Sequence, residues 1–191
     1  MSDMSTGTGK VVVNRSMSLD GFIAGPGDAM DWIFDFIAPD APWLMEIAAA
    51  TGAMLVGRRT HEVGKRMEAN NERGSESRDE GYPLAGPVFV LTHEPPELPD
   101  PGVTFLTGDI GEAVATALAA AGGRNLEILG ADLAGQCLRR GLVDEILVYV
   151  LPVLLGDGIR FSSPGLGRID LEPISSAQSG AVTVLRFRVR K

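Results

Sequence analysis

Cysteine is nearly missing from this chain. Cys137 is the only one in 191 residues, which excludes an internal disulfide and fits a reducing compartment, so a cytoplasmic location is expected. It falls on an apolar helix face and reads as core packing. Positive charge is scarce too, with 17 Lys and Arg against 25 Asp and Glu. A pI near 4.8 therefore disfavours nucleic acid or an anionic membrane as the main partner. No apolar run approaches the ~20 residues of a membrane span, and the start, MSDMSTGTGK, is too polar for a leader. No internal repeat is present. The zinc-deaminase pair, H-x-E with P-C-x-x-C, is absent, and no metal is expected.

What is abundant is apolar side chain, 45% of the total, enough for one good core. The expected organisation is a loose start over 1–9 and a single domain over 10–191. The segment NLEILGADLAGQCLRRGLVDEILVYVLPVLLGDG, 125–158, anchors the reading. An apolar run stops at Gly130, Asp132 stands as a helix N-cap, Leu133, Cys137 and Leu138 share a face, and Gly141 takes the position after the helix. A second apolar run, Ile146 to Leu151, follows, which makes a strand–helix–strand unit.

Upstream, Val11 to Asn14 is too uniformly apolar to have a wet face and belongs mid-sheet. SMSLDGFIAGPGDAMDW, with four Gly or Pro breakers, reads as a long, functional loop. A helix is expected from Asp40 and Pro42 to Ala50, ended by Gly52, and then a strand from Ala53 to Val56. The stretch from Gly64 to Gly81 is polar and reads as surface loop. Val88 to Leu91 and Val103 to Leu106 are strands, and the Asp109–Glu112 spacing resembles a capping box for a helix over 113–121. Arg168 to Glu172 and Thr183 to Arg190 alternate with period two, an antiparallel pair that sets carboxylates against arginines. Alternating strands and helices ahead of such a pair mean an α/β fold of three layers: a mostly parallel central sheet, helices on both faces, and an antiparallel C-terminal hairpin.

Three strand ends then line up at one edge. Gly57 precedes Arg58, Arg59 and Thr60 at a helix start, two guanidiniums and a hydroxyl suited to a phosphate monoester. Leu91, Thr92 and His93 end a second strand. Gly130, Ala131, Asp132, Leu133 and Ala134 form a turn with free backbone N–H groups for a pyrophosphate. Arginine in place of a ribose-facing carboxylate favours NADPH over NADH. Asp20 is the candidate for orienting substrate or relaying a proton, with a turn role before Gly21 equally natural. Trp32 and Phe34 are candidates for stacking on a flat heterocycle, with core packing as the alternative. His61 reads as a surface residue.

VGRRTHE, VLTH, the SLDGFIAG loop and ILGADLAGQCLRRGLVDEILVYVLPVLLGDGIRF together resemble the dihydrofolate reductase-like superfamily. The group most alike contains the C-terminal reductase domain of the riboflavin-biosynthesis bifunctional deaminase-reductase. The resemblance spans about Lys10 to Arg190. It implies that NADPH lies across the carboxyl edge, with Arg58, Arg59 and Thr60 on the 2′-phosphate, Thr92 and His93 beside the adenosine, and Gly130 to Ala134 on the pyrophosphate. The 18–25 loop, with Ala24, would close over the nicotinamide. It also implies that 11–14 inserts between the two strands of the 125–158 unit, and that a homodimer is common.

The chain departs from the family at three points. Gly130-Ala131-Asp132 stands where relatives carry two or three glycines. GRRTHE replaces the D-P-x-L-T-x-R stretch of the true riboflavin-pathway reductases. The carboxylate that dihydrofolate reductases present to the pterin could come from Asp28, Asp31 or Asp35. The expected function is hydride transfer from NADPH to a small heterocycle of the 5-amino-6-(5-phosphoribosylamino)uracil type. A pterin reductase, a nucleotide-binding module without turnover, and a structural homodimer remain as alternatives.

Overall fold

The computed structural model describes residues 9–37, 41–74, 86–98 and 100–191. Strand β1 (Val11–Ser18) runs into the short β2 (Phe22–Ala24), two 3-10 turns (Pro26–Asp28 and Asp31–Asp35), and helix α1 (Pro42–Ala50). Then come β3 (Thr51–Gly57), α2 (Arg58–Gly74), β4 (Val88–Leu91), β5 (Val103–Leu106), α3 (Ile110–Ala120), β6 (Asn125–Leu129), α4 (Ala131–Arg139) and β7 (Glu145–Leu151). The chain closes with β8 (Ile159–Arg160), β9 (Leu171–Ser179) and β10 (Val182–Val189).

Eight strands form one sheet in the order β5-β4-β3-β6-β1-β7-β10-β9. The first six are mutually parallel, and β10 pairs antiparallel with both β7 and β9. β1 lies between β6 and β7, as the resemblance implied, with Val13 opposite Ile128 on one side and Ile146 on the other. The central strands are buried on both faces. Val13, Leu55, Leu126 and Ile128 face Val114, Ala117, Leu133 and Cys137 from α3 and α4, all at 5% exposure or less. Each Val, Leu or Ile among them contributes roughly 1.5–3 kcal/mol on leaving water. On the other face Tyr149, Leu151 and Val182 pack with Trp32, Phe36, Trp43 and Ile47, and Trp43 stacks on Tyr149 at 4.0 Å between centroids. The three-layer α/β reading with its C-terminal hairpin holds. So does the core reading of Cys137, whose thiol burial pushes up to about 12.

Local capping follows the expected chemistry at α3, where the Asp109 side chain accepts from the Gly111 and Glu112 N–H groups. Its other oxygen takes Arg140 at the far end of α4, so one carboxylate joins two helix termini. Gly141, at φ +65°, ends α4 as its position predicted.

Several boundaries differ. β1 continues to Ser18, because Arg15 to Ser18 pair with Val148 to Leu151 of β7, and Phe22–Ala24 is a strand against β8. The 15–24 stretch is therefore not an open loop. Gly52 lies inside β3 and not at a helix end, since a Cβ there would meet the Ala121 carbonyl at 2.1 Å and only glycine fits that approach. Gly64 to Gly74 belongs to α2, whose i,i+4 pair Arg58–Glu62 helps a polar helix persist; the rest of that expected loop, 75–81, lies outside the described residues. So do Asp40 and residues 1–8, whereas Gly9 packs against Arg124. β9 begins at Leu171, so only Glu172 meets Arg188 across the hairpin. Asp170 pairs with Arg168, and Arg186 reaches Glu145 instead.

Candidate functional site

The carboxyl rim of the sheet gathers the predicted strand ends. Gly57 lies opposite Leu91 in the β3–β4 pairing, and Val56 lies opposite Leu129 in β3–β6. Each strand then turns straight into its helix or loop at the same level. The gap between the β3 and β6 ends is closed by contact: a Cβ added at Gly130 would stand 2.7 Å from Thr60 Oγ1 and 3.8 Å from the Gly57 nitrogen. One added at Gly57 would stand 3.7 Å from Leu133 Cβ. Gly130 also has φ +103° and ψ 133°, a region that side chains avoid. Gly57, Thr60, Gly130 and Leu133 thus form one compact corner.

α4 starts directly from this corner. Its first intrahelical bond runs from the Ala134 N–H to the Gly130 carbonyl at 3.0 Å, so the N–H groups of Ala131, Asp132 and Leu133 have no acceptor within the helix. Such a terminus can receive an anion. The N-cap is Gly130, not Asp132 as expected. Asp132 sits in the first turn and accepts from Gln136 Nε2 at 2.7 Å, so its carboxylate lies along the helix flank. Leu133 and Ala134 are buried and anchor the turn from below.

The arginines next to Gly57 are exposed and each meets a carboxylate. Arg58 donates to Glu62 at 2.8 Å, and Arg59 donates to Asp28 at 2.9 Å. Thr92 is buried at the end of β4, where its hydroxyl is engaged by the Glu94 backbone, while His93 is exposed. His61 is not the surface residue expected. Its ring packs edge-on against Phe105 at 5.9 Å and bonds Asp100 Oδ2 at 2.9 Å.

Asp20 belongs to a second group on the same rim. It accepts from Ser18 Oγ at 2.6 Å and from the Leu155 and Gly156 N–H groups at 3.1 and 2.7 Å. Its carboxyl is held down at about 2, chiefly by the Ser18 hydroxyl, with partial desolvation opposing and the two backbone donors assisting. The 18–25 loop is stitched to 153–161 by further bonds, Leu19 N–H to Val153 O and Phe161 N–H to Gly21 O, both 2.9 Å. Ala24 pairs with Ile159, and Arg160 lies 4.6 Å over the Phe22 ring. These contacts join the 18–25 segment to 153–161 in a small two-stranded unit of its own.

Of the substrate candidates, Trp32 donates to the Ala29 carbonyl at 3.2 Å and packs into the second apolar cluster, while Asp31 and Phe34 are exposed. Of the possible pterin carboxylates, Asp28 is taken by Arg59 and Arg66, and Asp35 is exposed. A hollow of about 400 Å³ lies beside Trp32's cluster, lined by Phe36, Ile37, Pro42, Trp43, Gly180 and Val182. It opens where β10 begins opposite the end of β7, on the same carboxyl rim. Its lining comes from two segments, 36–43 and 179–182, far apart in sequence, a combination no local pattern announces.

Two further residues join the groups. Arg15, buried in β1, donates to the Gly130 carbonyl at 3.2 Å; a charge inside an apolar strand was the signal. Ser163 donates to the Ala131 carbonyl at 3.1 Å, with no sequence signal. Beneath the rim Glu127 is 2% exposed, and neither of its oxygens meets a hydrogen-bond partner in good geometry. Burial pushes it up to about 7 against the opposing pull of Arg15's charge and the Thr51 hydroxyl. Among the described residues no group of His, Cys, Asp and Glu is arranged to hold a metal ion, and no helix is long and apolar enough to cross a membrane.

A parallel sheet with β1 inserted between β6 and β7, an antiparallel C-terminal hairpin, and a glycine-cornered turn at the carboxyl rim define the dihydrofolate reductase-like class of folds. Residues 9–185 match the RibD C-terminal domain model, and the chain belongs to that family, the riboflavin-reductase-like branch of the class. It is 27% identical over 152 residues to the uncharacterised protein YwjB of Bacillus subtilis (strain 168), covering 78% of this chain and 80% of that one. A putative riboflavin biosynthesis protein from Shewanella sp. PV-4 superposes with a TM-score of 0.75 at 22% identity, covering 95% and 99% of the two chains. Dihydrofolate reductase from Enterococcus faecalis, solved with NADP(H), superposes with a TM-score of 0.59 at 13% identity over 96% and 98%.

Proposed function

We propose that this protein is an NADPH-dependent reductase acting on a small, flat heterocycle of the 5-amino-6-(5-phosphoribosylamino)uracil type. The observation that carries the reading is the corner of Gly57, Thr60 and Gly130, where a Cβ on Gly130 would collide with Thr60 Oγ1 beside α4 N–H groups that have no acceptor within the helix. A tight glycine turn that leaves main chain uncovered, backed by a helix N-terminus, suits the pyrophosphate of a dinucleotide. Arg58 and Arg59 stand one and two residues beyond Gly57 and are exposed, within the chemistry a 2′-phosphate requires. The donor set therefore fits NADPH.

When bound, NADPH supplies the hydride. The protein's own residues orient and shield. Arg15 and Ser163 fix the carbonyls of Gly130 and Ala131 and so keep the turn's N–H groups pointing outward. The open hollow by Trp43 offers aromatic and aliphatic walls, from Phe36, Ile37, Pro42 and Trp43, to a ring. Asp20, ionised at neutral pH, orients the 155–156 backbone and can accept from a substrate N–H, while the proton for the reduced centre comes from water. A small-molecule substrate, a cytoplasmic location and a homodimer complete the proposal; exposed Leu171 and Ile174 on the edge strand β9 support the last.

The decisive test is paired. Replacing Arg58 and Arg59 by Ala should weaken NADPH at least ten-fold more than NADH in a fluorescence titration. Loss of NADPH absorbance is then followed with the ribosylaminouracil phosphate, with dihydrofolate and with simple carbonyl compounds. Turnover of dihydrofolate alone would favour the pterin reading. Saturable binding without turnover of any of them would favour a nucleotide-binding module.

A further inference from the structure

Arg59, assigned above to the ligand phosphate, already holds an anion. Asp28 Oδ1 lies 2.9 Å from Arg59 Nη2, and Asp28 Oδ2 lies 3.3 Å from Arg66 Nη2. The two arginines are seven residues apart on α2, which returns them to the same face of a helix. They therefore converge on one carboxylate that comes from a different segment. Exposure is lopsided, 13% for the Asp28 side chain against 74% and 64% for the arginines. A ligand arriving from solvent meets the guanidiniums first and finds the carboxylate behind them.

The backbone that presents Asp28 is unusual. Gly27 and Asp28 both adopt left-handed conformations, at φ +70° and +66°, and Asp28 is the sole non-glycine to do so among the described residues. Aspartate and asparagine tolerate that region better than other side chains, but it is still a conformation that needs holding. The two ion pairs to α2 hold it. Asp28 belongs to the turn immediately before Asp31–Asp35, so the same contact ties the stretch leading to Trp32 onto the nucleotide side of the rim.

We propose that Asp28 is an internal anion that occupies Arg59, one of the two phosphate-binding arginines, so that it sets the preference between 2′-phosphorylated and unphosphorylated dinucleotides. This rests on the assignment of Arg58 and Arg59 to the 2′-phosphate. A dianionic phosphate displaces the single carboxylate charge from Arg59, and Asp28 opposes it twice, by competing for the guanidinium and by repelling the incoming charge. NADH, which brings no phosphate to this position, leaves the Asp28 pairs intact. Asp28 thus weakens NADPH selectively, and on displacement the 25–30 segment loses its tether to α2.

The test measures NADPH and NADH affinity at fixed ionic strength for the wild type, Asp28→Asn, Arg59→Ala and the double variant. Asp28→Asn keeps the shape and the backbone tolerance and removes the charge. It should tighten NADPH about three- to ten-fold, the scale of two exposed ion pairs, and leave NADH within about two-fold. The gain should vanish when Arg59 is also Ala. Asp28→Gly, which suits the left-handed backbone, must reproduce the gain and guards against an effect of folding, which melting curves check in parallel. Equal shifts for both dinucleotides, a weaker NADPH, or a gain that survives without Arg59 each overturn the proposal. If Arg59→Ala discriminates between the dinucleotides but Asp28→Asn does nothing, the internal anion alone is wrong. If neither Arg59→Ala nor its combination with Arg58→Ala discriminates, the phosphate assignment fails and takes this inference with it.

Discussion

At the β3–β6 side of the rim the working parts are main chain: the left-handed Gly130, the Gly57 nitrogen, and the N–H groups opening α4 that have no acceptor within the helix. At the β1–β7 side they are side chains drawn from far apart, with Asp20 holding 155–156 and Trp43 stacked on Tyr149 beside the hairpin tip at Gly180. The first side joins two strand–turn–helix motifs, at 56–60 and 129–133, each written in consecutive residues. The second exists only once the whole chain has folded. A main-chain site tolerates change in any side chain except the one that is absent, whereas a side-chain site can be rebuilt without disturbing the sheet.

The sharpest way to break this contrast is to give the corner a side chain. Gly130→Val adds atoms where Thr60 Oγ1 already stands 2.7 Å from a Cβ, at a backbone angle that valine avoids. It should cost about 3 kcal/mol or more of stability and abolish dinucleotide binding. Urea unfolding and a titration read the two effects. Gly130→Val that folds and binds like the wild type would end the main-chain account. On the other side, Trp43→Ala removes the stack on Tyr149 and one wall of the hollow. A loss of roughly 2 kcal/mol is expected for a half-buried aromatic, with substrate KM raised and nucleotide affinity unchanged. Parallel loss of nucleotide binding would mean that the two sides are one site.

The same contrast explains what was legible beforehand. Gly57, Arg58, Arg59, Thr60 and the Gly130 turn could be read because a buried run, a breaker and a helix start are adjacent in sequence and the parallel order puts their ends on one edge. The order itself, with β1 between β6 and β7, came from resemblance and not from periodicity. Asp132 was misread as the cap because an Asp at a helix start is the ordinary cap, and the left-handed geometry that lets Gly130 take the role is invisible in sequence. α2 was cut short because a polar helix exposed on most sides has the composition of a loop. The hollow by Trp43 and the roles of Ser163 and Asp28 rest on contacts across 30 residues or more, which no window of sequence contains.

Glu127 tests the ground between the two sides. Its carboxyl is raised from 4.5 to about 7 by burial, so the folded state binds its proton more tightly than the unfolded chain does. The sign follows: its contribution is fully present below pH 4.5 and is lost as pH rises through about 7. Glu127→Gln should therefore be more stable than the wild type by about 3 kcal/mol at pH 8 and close to equal at pH 4.5. Urea midpoints at the two pH values give the comparison. A difference that does not change with pH would show that the carboxyl does not titrate in this range.

The smallest effect is expected at Asp20 and bears most directly on chemistry. Its carboxyl is lowered from 3.8 to about 2, mainly by the Ser18 hydroxyl and then, against partial desolvation, by the Gly156 and Leu155 N–H groups. Whatever stability it lends is complete above pH 3.8 and disappears as pH falls toward 2. Amide exchange at Leu155 and Gly156, corrected for intrinsic rates, should stay slow down to about pH 3 and quicken below it. In Asp20→Ala it should be fast throughout, while Leu126 and Ile128 in the sheet keep their protection. Exchange that ignores both pH and the substitution would remove Asp20 as the anchor of 155–156. At neutral pH a carboxyl of this kind is protonated in only about one molecule in 10⁵. Its part in any reduction is then to hold and orient, and turnover in Asp20→Asn should fall through a raised KM, with the pH profile of kcat unmoved.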